Sequence, residues 1–370
     1  MLNRLINILA VTARTLLAIV FLFSGIVKAV DPLGTVYKIE DYLKAFGGVF
    51  TDLMPLAEVA AFLLIIVEFT LGVCMLLNIK TGVTSWFTLI FYAVMTPLTL
   101  YIALNNPVSD CGCFGDAILL TNWQTFYKNI ILLSFVILLL CTKKALRPLF
   151  VWQAELAIAL IAAAAVTGWM FYTLNHLPVL DFRPYKIGNN IPQLMEYPDD
   201  AEPDQYDISF VYQQNGLEKT FTIDNYPKGD STWTFVRQES RLVKKGYEPP
   251  IHDFEITNAD YEDITYDLLE ADQLVTLAVM YDLKKSDTKQ LPKLITLYQQ
   301  CLRNETPFYI LTGSGTDDII AFCLQNGAEQ LQEIICSCDP VTLKTIVRAN
   351  PGIIVLQQGT IIDKYNLKNK

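Results

Sequence analysis

The sequence predicts a multi-domain protein, in which an α-helical membrane bundle is followed by a small β-rich segment and then by an α/β domain. Five apolar runs are each close to the 20 or so apolar residues that a membrane span requires. Charge is divided unevenly, with 9 acidic and 10 basic residues up to Pro178 but 29 acidic and 18 basic residues beyond it. After residue 246, strand-like and helix-like patterns alternate, which is typical of an α/β fold.

The five predicted spans occupy roughly residues 8–27, 56–77, 83–104, 126–140 and 149–172. The first span begins near the N-terminus, where a signal peptide could also lie. Arg14 interrupts its apolar run, no small-residue cleavage site precedes Asp31, and further spans follow. We therefore expect an uncleaved anchor, and the lipid bilayer is the first predicted partner.

Basic residues in the short loops predict the orientation, because Lys and Arg are retained on the cytoplasmic side. Those that support it are Arg4, Lys80, Lys143, Lys144 and Arg147. The loop before the second span also contains lysines, which runs against the rule. We expect a multi-pass protein of the inner (cytoplasmic) membrane, with a cytoplasmic N-terminus and a periplasmic or otherwise extracytoplasmic C-terminal domain.

Composition and pattern together divide the chain into four regions. Residues 1–148 are predicted to form a four-helix membrane domain, residues 149–178 a fifth transmembrane helix, residues 179–246 a small β-rich exported segment, and residues 247–370 an exported α/β domain. The exported half is acidic rather than basic, so nucleic acid is not an expected partner.

The most distinctive motif is SDCGCFGD at residues 109–116, between the third and fourth spans. A disulfide between Cys111 and Cys113 would close a small ring, which the backbone freedom of Gly112 makes feasible. Such a strained bridge is easily reduced, as thiol-disulfide exchange requires. A static bridge or tight turn remains an alternative. A metal site is disfavoured, because the chain has only two histidines, His176 and His252, to complete a four-ligand zinc site.

Residues 10–142 resemble the DoxX and methylamine-utilisation MauE membrane proteins. The stretches that carry the resemblance are LAIVFLFSGIVKAVDP, AEVAAFLLIIVEFTLGVCMLL and, above all, DCGCFGD. The resemblance implies a four-helix, redox-associated membrane domain linked to disulfide formation in exported partners or to quinone-coupled sulfur chemistry. It also implies that Cys111 and Cys113 are the functional pair.

Five ionisable residues fall within or beside the predicted spans: Arg14, Lys28, Glu58, Glu68 and Glu155. Charges within a membrane are costly, so they are usually paired or functional. Their depths suggest two ion pairs, Arg14 with Glu68 or Glu155 and Lys28 with Glu58. The alternative is a proton or quinone site close to Arg14.

The segment that follows the spans has a strong hairpin signal. Two alternating runs, YDISFVYQQNG and EKTFTIDNY, flank the turn residues Asn215 and Gly216. Residues 231–243 are expected to supply a third and a fourth strand.

The C-terminal region resembles the thioredoxin, peroxiredoxin and TlpA superfamily over residues 247–367. The resemblance is carried by EPPIHDFEITNADYEDIT and by the terminal hairpin NPGIIVLQQGTIIDKYN. It implies that Pro351 is the cis-proline of that superfamily. The Cys-x-x-Cys expected after the first central strand is missing, since the chain reads MYDLKKSD there. We expect a binding domain that retains the architecture without the nucleophile.

A second Cys-x-Cys, formed by Cys336 and Cys338, lies in the same region. We expect the two side chains to point apart as the chain leaves a strand. The pair would then be free or structurally bridged, with Cys323 as a further candidate, or would act as a relay for the membrane loop.

Two functional hypotheses follow. In the first, Cys111 and Cys113 exchange disulfides with an exported envelope protein and pass electrons to a quinone or to a partner, while the α/β domain presents the client. In the second, the chain is a non-enzymatic membrane scaffold, and its degenerate thioredoxin-like domain binds an envelope partner. The sequence leaves open whether the chain is itself an enzyme.

Overall fold

The computed structural model describes residues 2–108, 110–142, 149–244 and 246–370. Ser109 of the cysteine motif and the basic residues Lys143, Lys144 and Arg147, which contribute to the predicted orientation, lie outside the described residues.

The first half of the chain is helical. Its helices are α1 (Leu2–Val30), α2 (Pro32–Phe46), α3 (Ala57–Leu76), α4 (Thr81–Asn105), α5 (Asn122–Thr142) and α6 (Trp152–Asn175), with a 3-10 segment at Gly48–Leu56 before α3. Within the described ranges, five of these helices are long and apolar enough to cross a membrane, namely all except α2. The five predicted spans are therefore confirmed, and the chain is a multi-pass membrane protein.

Helix α2 has no counterpart among the predicted elements. Asp31 caps its N-terminus by accepting a hydrogen bond from the backbone N–H of Gly34, and Pro32 occupies its first turn. The helix buries Val36 against Ala57 and Ala61 of α3. It therefore lies at the end of the bundle where α1 finishes and α3 begins.

Helices α1 and α3 pack unusually closely because each has a glycine at the contact. A Cβ added to Gly25 would lie 2.8 Å from the backbone nitrogen of Phe69, and one added to Gly72 would lie 2.8 Å from the backbone nitrogen of Leu22. Small residues at such crossings let two membrane helices approach at the level of their backbones. This contact fixes the antiparallel register of α1 and α3.

The region after α6 begins with a short helix, α7 (Ile191–Met195), and a three-stranded antiparallel sheet. Its strands are β1 (Gln205–Gln214), β2 (Leu217–Thr222) and β3 (Thr234–Lys244), in the order β2-β1-β3. The predicted hairpin is confirmed, with Asn215 and Gly216 both at positive φ in its turn. The expected fourth strand is wrong: residues 234–244 form one strand, because no turn residue interrupts them.

The C-terminal region is a five-stranded sheet with helices on both faces. Its elements are α8 (Thr265–Leu269), β4 (Val275–Val279), α9 (Leu291–Arg303), β5 (Phe308–Thr312), α10 (Thr316–Asn326), β6 (Ile335–Ser337), α11 (Pro340–Ile346), β7 (Gly352–Gln357) and β8 (Thr360–Asn366). The strand order is β6-β5-β4-β7-β8, with β4, β5 and β6 parallel and β7 and β8 antiparallel. Two buried hydrophobic clusters cover its opposite faces. The Asn350–Pro351 peptide bond is cis.

The α1–α3 contact yields a stability prediction. In Gly25→Ala the new Cβ meets backbone atoms that cannot move aside, so we expect a loss of about 1–3 kcal/mol in the free energy of unfolding. The matched control is Gly168→Ala in α6, where a Cβ enters open space and stability should be unchanged or slightly higher. Thermal unfolding of the purified protein in detergent measures both. Equal effects at the two positions would contradict the close packing of α1 and α3.

Candidate functional site

The two cysteines of the SDCGCFGD motif meet in the loop between α4 and α5. Cys111 Sγ lies 3.0 Å from Cys113 Sγ, and both are free thiols. Gly112 between them has φ +65°, and a Cβ there would lie 2.8 Å from Lys38 Cγ. A glycine is therefore required at this position both by the backbone conformation and by the lack of space.

Contacts from α1 and α2 hold the loop backbone on either side of Gly112. Tyr42 of α2 donates a hydrogen bond to the carbonyl of Cys111 over 2.8 Å, and Ser24 Oγ of α1 lies 2.7 Å from the carbonyl of Cys113. Asp110 accepts from the backbone N–H of Gly112 and forms an ion pair with Lys38 at 2.8 Å. The thiols are thus presented by a braced turn.

The two thiols have different electrostatic surroundings. The hydrogen bond from Cys111, together with the nearby ammonium groups of Lys128 and Lys28, lowers the pKa of Cys113 to about 6. The same hydrogen bond, with burial, raises the pKa of Cys111. Cys113 is also the more exposed residue of the two, since it is partly exposed whereas Cys111 is buried, with 7% of its surface exposed. Cys113 is therefore the better candidate for the reactive thiolate.

The intramembrane charges pair differently from the expected arrangement. Lys28 forms an ion pair with Glu68, at 2.8 Å from both carboxylate oxygens, whereas Glu58 is exposed. The expected pairing of Lys28 with Glu58 is wrong. Gly25 of α1 contacts Phe69 of α3. Lys28 lies about one helical turn after Gly25, and Glu68 directly precedes Phe69, so the register of α1 against α3 makes Glu68 the partner of Lys28.

The predicted pairing of Arg14 with Glu68 or Glu155 is also wrong. Glu155 is buried and lies 3.6 Å from Lys80, whose backbone N–H it also accepts at 3.4 Å. As far as the described residues show, Arg14 Nε and Nη1 are buried without a hydrogen-bond partner. Arg14 therefore stands apart from the cluster around Glu68.

The α/β domain contacts the same end of the bundle as the cysteine loop. Arg348 binds Asp31, the residue that caps α2, with Nη2 to Oδ2 at 2.7 Å and Nε to both carboxylate oxygens at 2.9–3.0 Å. Its guanidinium also lies 3.8 Å from Asp116 of the loop and 5.2 Å from the ring centre of Tyr37. Arg348 lowers the pKa of Asp31 against the opposing effect of burial. The loop and the α/β domain thus share one side of the membrane bundle.

A cavity of about 180 Å³ lies between α2, the cysteine loop and the α/β domain. Gly112 and Gly115 of the loop line one side of it, and Lys344 and Arg348 line the other. Its walls carry both acidic and basic side chains, so its charge selects no single ligand class.

Polar contacts hold the segment at residues 280–287, which follows β4. Residues 280–287 contain no cysteine, and Asn350 donates a hydrogen bond to the carbonyl of Asp282 at 2.8 Å. Ser286 Oγ lies 2.8 Å from the side-chain oxygen of Asn350. Tyr281, at the start of the segment, lies 6.0 Å from the ammonium of Lys344 near the cavity.

Cys336 and Cys338 belong to the hydrophobic core. The expectation that they point apart is wrong, because residues two apart on an extended chain share a face, and both lie in the same buried cluster. Burial raises the pKa of Cys336 to about 11 and that of Cys338 to about 12. Cys323 lies in the cluster on the other face of the sheet. All eight cysteines are in the described part of the chain, and all are free.

The remaining predicted residues lie outside this site. His176 stacks on Tyr172 at the end of α6, and His252 lies 3.5 Å from Glu248. Among the described residues, no group of three or more His, Cys, Asp or Glu side chains is placed to hold a metal ion.

Comparison with known families supports the assignment of the membrane half. Residues 6–142 match the family described as Methylamine utilisation protein MauE, and residues 206–245 match the one described as Domain of unknown function (DUF8463). No curated protein and no solved structure matches the chain. The MauE match extends over α1 to α5 and includes the cysteine loop, so the first five helices of the membrane half are similar to that family. The DoxX and thioredoxin-like resemblances stay predictions.

The electrostatics of the pair predict a distinct pH dependence. In the reduced protein, the rate of alkylation of Cys113 should rise with pH, with a midpoint of about 6, and reach a plateau above it. The reason is that the reactive thiolate forms above the pKa of Cys113 and is lost below it. Cys111→Ala removes the largest cause of the lowered pKa and should move the midpoint upward. Alkylation rates at each cysteine, read by mass spectrometry of peptides, measure this.

Cys141→Ser is the matched control, because it removes a thiol at the far end of α5 and should leave the Cys113 profile unchanged. Equal rates at Cys111 and Cys113, or a midpoint that Cys111→Ala does not move, would contradict the assignment.

Proposed function

We propose that this MauE-like membrane protein exchanges disulfides with an exported envelope protein through Cys111 and Cys113. In each cycle the oxidised pair accepts two electrons from two client thiols. The Cys111–Cys113 bond breaks and a client disulfide forms. The observation that carries the proposal is the contact of the two thiols at 3.0 Å in a braced loop, with the pKa of Cys113 lowered to about 6.

Cys113 is the sulfur that forms the mixed disulfide, because it is the more exposed and the more readily ionised of the pair. Client attack on Cys113 releases Cys111 as a buried thiol, and the second client thiol then displaces Cys113 to complete the client disulfide. Reoxidation needs an acceptor of two electrons and two protons. A quinone in the bilayer meets that requirement and is reduced to the quinol as the Cys111–Cys113 bond re-forms.

The α/β domain is proposed to be thioredoxin-like and to present the client. Its support is the strand order β6-β5-β4-β7-β8, with three parallel strands and an antiparallel C-terminal hairpin. Without cysteines at residues 280–287 the domain has no exchange chemistry of its own there. Arg348 connects the domain to α2 through Asp31 and to the loop through Asp116, and the 180 Å³ cavity beside Gly112 is left for an extended client segment.

The proposed location is the inner membrane, with the loop and the α/β domain on the exported side. The basic residue Lys80, between α3 and α4, supports this orientation. In intact cells, a membrane-impermeant thiol reagent that passes the outer envelope should label Cys113 and spare Cys141, at the opposite end of α5. Preferential labelling of Cys141 would contradict the proposed orientation and support the opposite one.

Trapping of mixed disulfides tests the exchange reaction. In Cys111→Ser the Cys113 thiolate can still exchange with a client disulfide, but the neighbouring thiol that would displace the bound client is missing, so Cys113 should accumulate a mixed disulfide with an exported protein. Cys113→Ser should accumulate far less, and Cys141→Ser should behave as the wild type. Non-reducing gels of membranes, followed by mass spectrometry of the adducts, identify the client. In the purified reduced protein, a short-chain quinone should be reduced in step with loss of the two loop thiols.

A non-enzymatic scaffold is the second candidate function, and the missing cysteines of the α/β domain favour it. If Cys111→Ser and Cys113→Ser trap nothing and the double variant still co-purifies with its envelope partner, the exchange proposal is overturned and the scaffold is supported. Loss of that partner on removal of residues 179–370 would then assign binding to the exported half.

A further inference from the structure

The ion pair between Lys28 and Glu68 is buried in the membrane and adjoins the reactive loop. The two residues are 5% and 3% exposed. Ser24, one helical turn before Lys28, lies 3.1 Å from the Lys28 ammonium and 2.7 Å from Glu68 Oε2. The same hydroxyl lies 2.7 Å from the carbonyl of Cys113. Ser24 therefore joins the carboxyl group of Glu68 to the backbone of the cysteine pair.

The number of available protons limits which of these contacts can be hydrogen bonds. Ser24 has one hydroxyl proton, yet two oxygens lie at 2.7 Å from it, those of Glu68 and of the Cys113 carbonyl. A carbonyl cannot donate, so an ionised Glu68 leaves one of the two contacts without a proton. With a proton on Oε2, Glu68 donates to Ser24, and Ser24 donates to the Cys113 carbonyl. A protonated Glu68 satisfies both contacts at once.

The carboxyl group also has a route to the sulfur. Glu68, Ser24 and Cys113 line a cavity of about 20 Å³ together with Lys128 and Asn129 of α5. That volume accommodates one water molecule, and the polar side chains of the wall supply its hydrogen-bond partners. A water molecule at this position would connect the carboxyl group of Glu68 to the Cys113 thiol.

The total charge of Lys28, Glu68 and the cysteine pair suggests why a proton acceptor lies beside the two thiols. A buried ammonium needs an anionic neighbour, because desolvation penalises an uncompensated charge. In the oxidised state the disulfide is neutral and the Glu68 carboxylate is the anion next to Lys28. In the reduced state the Cys113 thiolate supplies a second anion. If Glu68 then takes a proton, the total charge of the cluster stays constant.

We propose that Glu68 is the redox-linked proton acceptor of the cysteine pair, held in place by Lys28 and Ser24. On reduction, two client thiols supply two electrons and two protons. One proton binds to Cys111, the other binds to the Glu68 carboxylate, and Cys113 remains a thiolate. On oxidation both protons leave as the Cys111–Cys113 bond forms. The inference rests on the redox role proposed above for the pair.

Other charged or titratable groups face Glu68 from each surrounding element. They are Lys28 on α1, Tyr92 on α4, Lys128 on α5 and Cys113 in the loop. Lys28 and Lys128 are cations in both redox states, so the changing groups are the thiols and Glu68 itself. The proton balance of reduction is therefore assigned to these groups.

Infrared difference spectroscopy of the full-length protein tests the proposal. The oxidised pair is reduced by a phosphine, which needs no client or quinone. Reduction should produce a carboxylic-acid C=O band that shifts in deuterated water, and Glu68→Gln should abolish it. The matched control is Glu155→Gln, which replaces an equally buried membrane carboxylate next to Lys80 and should leave the band unchanged.

Proton uptake gives a second readout. Oxidation of the phosphine to its oxide releases two protons per pair. At a pH above the pKa of Cys113, the wild type should take up both, so that a pH indicator shows no net change, whereas Glu68→Gln should take up one and show a net release of about one proton per pair. A band that persists in Glu68→Gln, no band in the wild type, or equal proton uptake in both proteins would overturn the proposal.

Ser24→Ala keeps the test decisive if Glu68→Gln fails to fold. It removes the acceptor of the Glu68 proton, so the band should shift while remaining present, and an unshifted band counts against the proposal. Because the phosphine supplies the electrons, this result is separate from client trapping. Trapping can fail while the Glu68 band appears, and the band can be missing while a client is trapped.

Discussion

The burial of one ammonium group, that of Lys28, constrains the whole membrane site. Its position near the end of α1 is compatible with a membrane only because Glu68 reaches it across a helix contact that two glycines, Gly25 and Gly72, bring to backbone distance. The same face of α1 carries Ser24, which contacts both Glu68 and the cysteine loop. Helix packing, charge pairing and loop position therefore depend on one another.

Asp31 extends this dependence to the α/β domain. Its side chain caps α2, which supplies Lys38 and Tyr42 to the cysteine loop, and it also binds Arg348. A domain without cysteines of its own at residues 280–287 is thereby fixed beside the thiols of the membrane half. Under the proposed function, this arrangement assigns presentation of the client to the α/β domain and thiol chemistry to the membrane half.

The sequence predicted those features that depend on local pattern. Apolar length was sufficient for the five spans, and the turn residues Asn215 and Gly216 were sufficient for the hairpin. The partner of Lys28 could not be predicted, because it depends on the register of α1 against α3. Helix α2 carried a readable signal in Asp31 and Pro32, a cap followed by a first-turn proline, but its amphipathic composition falls below that of a span.

The energetics of the buried pair favour a functional reason for its presence. An ion pair taken out of water regains its desolvation cost only partly, and apolar residues of similar volume often stabilise a protein equally well or better. Lys28 and Glu68 are therefore poorly explained as a device for stability, especially since Gly25 and Gly72 already determine the helix packing. A nearby cation stabilises the Glu68 carboxylate while the cysteine pair is a neutral disulfide, as the proposed role of Glu68 needs. Under the proposed redox role, Lys28, Glu68 and the cysteine pair act together, and Ser24 couples the Glu68 carboxyl group to the loop backbone.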